Sequence, residues 1–415
     1  MNVLWVCNFV PSFIARQEGL PMTCMGSWVE SLAKADGLHD IQVTIACFYP
    51  SIKSISKGCA DRTSYYIIPE GNDNDVVLAL KSVIAEVNPE VLHIWGTEYY
   101  NALLAVRAFN NPEKTVVHIQ GVCSAIALHY CSGIPAREQS RSTLKDFIRK
   151  TNIKQSRQKL IQAGSWEKEI IQNVSHVIGR TEFDRACTEL MNPLIIYHEC
   201  GEALREEIRK ASKWTVSDCE KHTVFLSQGN YPVKGLHIAL HGFAMLKKMY
   251  PDLKVYVAGS QIEQPTSVSQ RLRQTNYSKY ILKLISRLGL ENTISFIGFQ
   301  DGVEIAKCLQ KANAYLLCSV IENSPNSLQE AMCVGTPVVA SDVGGIKNYV
   351  KHRENGLIYQ HDAYYMMAYY LKNIFEDDVY STNLSECEQK TSAMFSEVYS
   401  ITRRIKEIYG DICKE

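Results

Sequence analysis

The stretch Ile321–Val350, IENSPNSLQEAMCVGTPVVASDVGGIKNYV, holds the residues best suited to chemistry. Glu322 and Glu330 stand with seven residues between them, and Pro325 fixes the chain just before a helix expected from about Ser327 to Val334. Glu322 then lies on the entering loop, and Glu330 about one turn into the helix. The backbone N–H groups of Asn326, Ser327 and Leu328 point out of that helix N-terminus and form an anion site. A phosphate held there has one carboxylate on each side. Carboxylates suit the diols of a sugar and a ribose, because each accepts two hydrogen bonds. Spacing alone would equally fit a surface acid and an ordinary helix residue, so the surrounding residues must decide.

Those residues resemble the signature of family 4 glycosyltransferases, in which E-x7-E is followed by AM-x-x-G-x-P-V-V-A-S and a Gly-Gly turn. Glu322, Glu330, Ala331, Met332, Gly335, Pro337, Val338, Val339, Ala340, Ser341, Gly344 and Gly345 all match. The resemblance extends over most of the chain, densely after residue 222 and thinly before it. FLSQGNYPVKG (Phe225–Gly235) looks like the family's strand-loop element ending in Lys-Gly. There an Arg six residues before the Lys usually joins it on the donor diphosphate. Here Lys234 is present and Gln228 holds the Arg position, so neutralisation of the phosphates falls more heavily on Lys234. The acid of the family's GG-x-x-E variant is replaced by Asn348.

In the first half the family's glycine loop has Gly26, before a helix Trp28–Lys34, as its candidate; a plain N-terminal turn explains the same residues. VLHIWG (Val91–Gly96) resembles the strand ending in His-x-His, with His93 kept and Trp95 in the second place. VVHIQG (Val116–Gly121) resembles the strand ending at a sugar-site histidine, and Gln120 stands there, with His118 two residues earlier. His118 reads more readily as packed than as catalytic. GRTEFDRA and YHECGEALR resemble bacterial members associated with surface-polysaccharide synthesis.

The resemblance implies the GT-B fold: two Rossmann-like doubly wound domains facing a cleft, with a C-terminal helix crossing back to the first. It implies retaining transfer of a sugar from a nucleotide diphosphate sugar to a saccharide or lipid-linked acceptor, with no cofactor and no metal ion. Glu322 would hold the donor sugar and Glu330 the ribose. Lys234, Gln228 and the amides of Asn326, Ser327 and Leu328 would serve the diphosphate, and Gly26 and Gln120 the substrates from the first domain. Charge developing on the departing phosphate is stabilised by donors already aimed at it. An epimerase or phosphorylase on the same fold fits the E-x7-E stretch poorly. A catalytically silent nucleotide-sugar-binding protein is the rival that the departures at Gln228, Gln120 and Asn348 recommend.

The elements that must position these residues follow from the whole chain. Its 415 residues exceed one ordinary core, and 46 % hydrophobic with 21 % charged residues is globular composition. Lys+Arg and Asp+Glu both number 44, so the basic surplus of a nucleic-acid binder is missing. No run approaches the roughly 18 apolar residues of a membrane span. The first basic residue is Arg16, so the start is expected to be a strand and not a signal peptide, and the protein cytoplasmic. Fourteen cysteines without a CxxC pair read as reduced thiols.

Short apolar runs alternate with helical patterns, which indicates βαβ units and parallel sheets. Strands are expected at Val3–Cys7, Gln42–Cys47, Val91–Ile94, Thr115–Ile119 and Ser175–Ile178, then at Thr223–Leu226, Lys254–Ala258, Thr293–Ile297, Ala314–Leu317 and Pro337–Ala340. The charged segment Glu206–His222 suggests a division into residues 1–207, with a crossing helix at 395–415, and residues 208–394. One segment has a charge of its own: residues 137–159 carry eight Lys/Arg against Glu138 and Asp146. With Leu144, Phe147 and Ile148 at helical spacing, it reads either as a peripheral contact with an anionic inner-membrane face through the first domain, or as a solvated surface helix or mobile loop.

Overall fold

The computed structural model describes residues 1–415 apart from 22–25, 39, 261, 264, 266, 396 and 415. The chain forms two compact units. Unit 1 comprises Met1–Ser124, Ile161–Arg205 and Ser396–Glu415; unit 2 comprises Ala125–Leu160 and Glu206–Phe395.

Unit 1 is built on β1 (Asn2–Cys7), β2 (Gln42–Tyr49), β3 (Ser56–Ala60), β4 (Thr63–Pro69), β5 (Val91–Trp95), β6 (Thr115–His118), β7 (His176–Gly179) and β8 (Ile196–Glu199), in the order β3-β4-β2-β1-β5-β6-β7-β8. Every neighbouring pair is parallel except β3 with β4. Val3–Cys7 are fully buried, as the uninterrupted apolar run of a central parallel strand requires. The helix Val398–Lys414 belongs to this unit. Its Tyr409 hydroxyl accepts a hydrogen bond from Trp5 Nε1 at 2.9 Å and meets His93 Nδ1 at 2.5 Å.

Unit 2 carries β9 (Glu220–Leu226), β10 (Lys254–Ala258), β11 (Ile294–Gly298), β12 (Ala312–Leu317), β13 (Val338–Ser341) and β14 (Leu357–Tyr359), all parallel, in the order β11-β10-β9-β12-β13-β14. The chain runs outward one way from β9 to β10 and β11, then returns beside β9 as β12 and continues the other way. A crevice therefore opens beyond the carboxyl ends of β9 and β12, the switch point at which doubly wound sheets take ligands.

The α/β class with two parallel sheets is as expected, and the ten strands read from the sequence are present with ends shifted by a few residues. The hairpin β3–β4 and the strands β8 and β14 are additions. The hairpin turns on Asp61 (φ 45°) and Arg62 (φ 69°), both left-handed, where Asn-Gly would have announced the turn. The segment 125–160 groups with unit 2, whereas the sequence reading drew it into the first half. The reason is a set of buried ties. Asp146 accepts from the amide of Asn276 at 2.7 Å, His237 Nε2 lies 2.8 Å from the Ser132 carbonyl, and Ile134 and Ile153 join the second core. The thirteen described cysteines are unpaired. Among the described residues, no helix is long and apolar enough to cross a membrane.

Candidate functional site

Two loops of unit 2 start at the switch point. The first leaves β9 at Ser227 and passes through a tight turn Pro232–Lys234 into the helix Leu236–Met249. Gly235 joins turn to helix at φ 68°; a Cβ there would stand 1.8 Å from the Cys318 carbonyl oxygen, so only glycine lets the two loops approach this closely. The second loop leaves β12 and enters the helix Asn326–Val334 through Pro325 at φ −72°. Backbone bonds tie the loops together: the Val320 amide donates to the Val233 carbonyl at 2.8 Å.

Lys234 and Glu322 meet across this seam. Lys234 Nζ donates to Glu322 Oε1 at 2.6 Å, and Ser319 Oγ donates to the same oxygen at 2.6 Å. Side-chain exposure is 14 % for the lysine and 12 % for the glutamate. Burial alone would lower the lysine's pKa; the Glu322 carboxylate outweighs it and holds the ammonium well above its ordinary range. Lys234 is thus held as an ammonium in the site. Lys234 Nζ also lies 5.7 Å from the centre of the Tyr231 ring.

The matched glycine and serine positions hold Glu322 in place. Gly344, at φ 50°, would put a Cβ 1.9 Å from the Glu322 carbonyl oxygen, and the Gly345 amide donates to that oxygen at 3.2 Å. Ser341 Oγ donates to the Ser319 carbonyl at 2.6 Å, which links β13 to the residue that supports Glu322. At Gly344 a larger residue would block the backbone contact, while Gly345 and Ser341 each donate a hydrogen bond to the loop that carries Glu322.

Asn326 and Ser327 occupy the first two positions of the helix that starts after Pro325. The Leu328 amide donates to the Pro325 carbonyl at 3.0 Å, closing the first turn. That bond engages the Leu328 amide within the chain. Glu330 is buried, 6 % exposed, one turn into the helix. Gln228 is exposed in the first loop, and its Oε1 accepts from the Tyr231 hydroxyl at 3.3 Å, which leaves the amide NH2 to donate outward.

Three residues here escaped the sequence reading. Tyr315 on β12 was taken as part of an apolar strand, yet its hydroxyl meets Ser227 Oγ at 3.0 Å and also bonds Ser327. It joins the end of β9 to the start of the helix, and burial pushes its pKa up to about 12. Ser319 gave no signal apart from lying three residues before Glu322. Asn230 stands with a buried Oδ1 that has no hydrogen-bond partner, 3.7 Å from where a Cβ on Gly259 would be.

The first-half candidates lie in unit 1. Gly26 caps the helix Ser27–Ala33 at φ 81°, with the Phe9 ring where its Cβ would be. Residues 22–25 before it lie outside the described residues. Gln120 follows β6, and its Nε2 donates to Glu202 Oε1 at 2.5 Å; Arg180 Nη1 holds the other oxygen of Glu202 at 2.7 Å. His118 is fully buried and stacks on Trp95 at 4.6 Å. Burial holds its pKa well below the usual range for histidine, so it is a neutral packed ring. Among the described residues, no three His, Cys, Asp or Glu side chains gather into a set that could hold a metal ion.

Comparison with known proteins points the same way. Residues 207–391 match the family model described as glycosyl transferases group 1. N-acetyl-alpha-D-glucosaminyl L-malate synthase of Bacillus anthracis is 24 % identical over 264 residues, 62 % of this chain and 63 % of that protein. An amylovoran biosynthesis glycosyltransferase of Erwinia amylovora is 37 % identical over 73 residues, 16 % of this chain and 18 % of that one. The chain spans about half or less of the length of the first curated relatives it matches. HepE of Anabaena, solved in complex with UDP-glucose, aligns with a TM-score of 0.70 over 99 % of this chain and 100 % of that one, at 16 % identity. At that identity the likeness speaks for the fold, which is GT-B.

Proposed function

We propose that this chain, whose residues 207–391 match the family model of glycosyl transferases group 1, moves a sugar from a nucleotide diphosphate sugar to a saccharide or lipid-linked acceptor, with retention of anomeric configuration. The observation that carries the reading is the Lys234–Glu322 pair, set at the switch point of unit 2 beside a helix N-terminus. A diphosphate brings negative charge to a place where an ammonium is already held in its charged form. The amides of Asn326 and Ser327 add dipoles aimed the same way.

In this reading the leaving phosphate gathers charge as the glycosidic bond breaks, and Lys234 with the helix terminus stabilises it without rearrangement. These groups supply what a metal ion would otherwise supply, and the reaction is expected to run without one. Glu322 Oε1 is taken by Lys234 and Ser319, so Oε2 is the oxygen left to accept from the donor sugar's hydroxyls. Glu330 binds the ribose. The amylovoran biosynthesis relative, and the first-half resemblance to surface-polysaccharide enzymes, favour polysaccharide or glycoconjugate synthesis as the setting.

Gln228 in place of an arginine favours one rival, a nucleotide-sugar-binding protein without turnover. Incubation with a nucleotide diphosphate sugar and an acceptor, followed by NMR of the product anomeric proton in the presence of EDTA, separates the two. Retained configuration with EDTA present is the expected result. Inverted product, or activity abolished by EDTA and restored by Mg²⁺, would overturn the mechanism; binding without product would support the rival.

A further inference from the structure

We infer that unit 2 carries a docking surface for anionic lipid, made by the helices Leu144–Arg149, Val268–Arg273 and Asn276–Arg287, separate from the sugar-nucleotide site and independent of the reading above. The helix Leu144–Arg149 packs against Val268–Arg273. From this neighbouring pair Phe147 (75 % exposed), Ile148 (71 %) and Val268 (74 %) project into solvent, with Leu144 and Leu272 about half exposed. Five large apolar side chains exposed on two helices that pack together are more than the scattered single ones of an ordinary soluble surface.

The apolar group is held rigidly in place. Thr143 and Asp146 form a capping box at the start of the helix Leu144–Arg149. The fully buried Asp146 carboxylate also accepts from the Asn276 amide at 2.7 Å, so one side chain caps two helices. Asn276 Nδ2 in turn donates to the Glu138 carbonyl. With the polar side of the short helix spent on these bonds, its apolar side has only the outward direction.

The rim is basic. Residues 137–159 carry eight Lys/Arg against two acids, and one of those acids is Asp146, buried in the caps. Across residues 262–287 the described side chains add Arg273, Lys279, Lys283 and Arg287 against Glu263. In a chain whose charges balance at 44 and 44, this is a concentrated surplus. Lys279, Lys283 and Arg287 recur every four residues and line a hollow of about 680 Å³ with Gln274 and Ser286. Glu138, the remaining acid of the first segment, pairs with Arg141 at 3.0 Å and faces Lys283 at 3.9 Å.

Exposed apolar side chains with ammonium and guanidinium groups on the neighbouring segments match a leaflet of anionic lipid, whose acyl boundary takes the former and whose phosphates take the latter. A protein partner would not need so one-sided a rim, and a free polyanion would not need the apolar centre. The helices are too short to insert, so contact is peripheral.

Flotation of the full chain with vesicles tests this. Vesicles of phosphatidylglycerol and phosphatidylcholine are compared with pure phosphatidylcholine, at low and at high salt. The expected result is binding to the anionic vesicles at low salt, lost at high salt. Phe147→Ser with Ile148→Ser should weaken binding at least tenfold, and so should Lys279→Gln, Lys283→Gln and Arg287→Gln together. Both variants should keep the wild-type thermal unfolding temperature and donor turnover. Equal binding to neutral vesicles, no binding at low salt, or variants that bind like wild type would overturn the proposal. So would a concentration-dependent dimer that the Phe147→Ser and Ile148→Ser variant abolishes while vesicle binding is unchanged.

Discussion

Oε1 of Glu322 lies 2.6 Å from the ammonium of Lys234, 88 residues away in sequence, on loops that leave the adjacent strands β12 and β9. Neither residue is more than one-seventh exposed, and the Glu322 carboxylate holds the Lys234 ammonium in its charged form against the cost of burial. The pair couples the position of the glutamate to that of the cation. In the proposed function, a diphosphate drawn to Lys234 would bring its sugar to Glu322.

Lys234→Ala should lower the rate of donor turnover on the order of 10²–10³, the scale of losing one preorganised donor. Steady-state kinetics with the full-length variant measure it. Since Ser319 still donates to Glu322, the fold should survive, and the thermal unfolding temperature is the control. In the same assay Gln228→Arg should be tolerated and should tighten nucleotide binding, because it adds a charge in the same loop. Near-wild-type turnover by Lys234→Ala would place the phosphate elsewhere.

Gly344→Ala should impair turnover although residue 344 has no chemistry of its own. Its Cβ would stand 1.9 Å from the Glu322 carbonyl oxygen, and its φ of 50° disfavours any side chain by about 1–2 kcal/mol. The Glu322 backbone must move, so kcat should fall more than the nucleotide's dissociation constant rises. Unchanged kcat would mean that the Gly-Gly turn does not position the glutamate.

Glu98, between β5 and the following helix, predicts a pH effect on stability. Burial pushes its carboxyl up to about 7 from an ordinary 4.5; the neighbouring Glu167 charge adds to this, while the Gly121 amide, donating at 2.8 Å, opposes it. Between pH 4.5 and 7 the folded chain therefore holds a proton that the unfolded chain has released. That contribution is present at low pH and is lost as pH rises through 7, at about 1.4 kcal/mol per pH unit. Glu98→Gln keeps the neutral form at every pH. Its unfolding temperature should match wild type near pH 4.5 and exceed it increasingly up to pH 7, with a constant gap above. A gap that does not vary with pH would refute the assignment.

How much of this was legible in the sequence differs by element. The central strands were, because a strand buried on both faces, such as Val3–Cys7, must be written as an unbroken apolar run. Glu322, Glu330 and Lys234 stand out as candidates through the residues around them: Gly344, Gly345 and Ser341 contact the Glu322 loop, and such contacts leave a pattern. Tyr315, Ser319 and Asn230 were not found, since a polar atom at the end of a strand is set by tertiary neighbours that no local period reveals. The Leu328 amide was assigned to an anion by rule, and the close turn at Pro325 claimed it. The segment 125–160 was placed by sequence order, but Asp146 reaching Asn276 decides its unit.

The most direct measurement is release of nucleoside diphosphate from a panel of nucleotide diphosphate sugars, with wild type and Glu322→Ala compared at saturating donor and with nucleotide affinity measured separately. The account predicts turnover of at least one donor by wild type. It predicts a large loss of kcat in Glu322→Ala, with nucleotide affinity nearly unchanged, because the glutamate holds the sugar and not the base. Equal turnover by both proteins, or none by wild type from any donor that it binds, would contradict it.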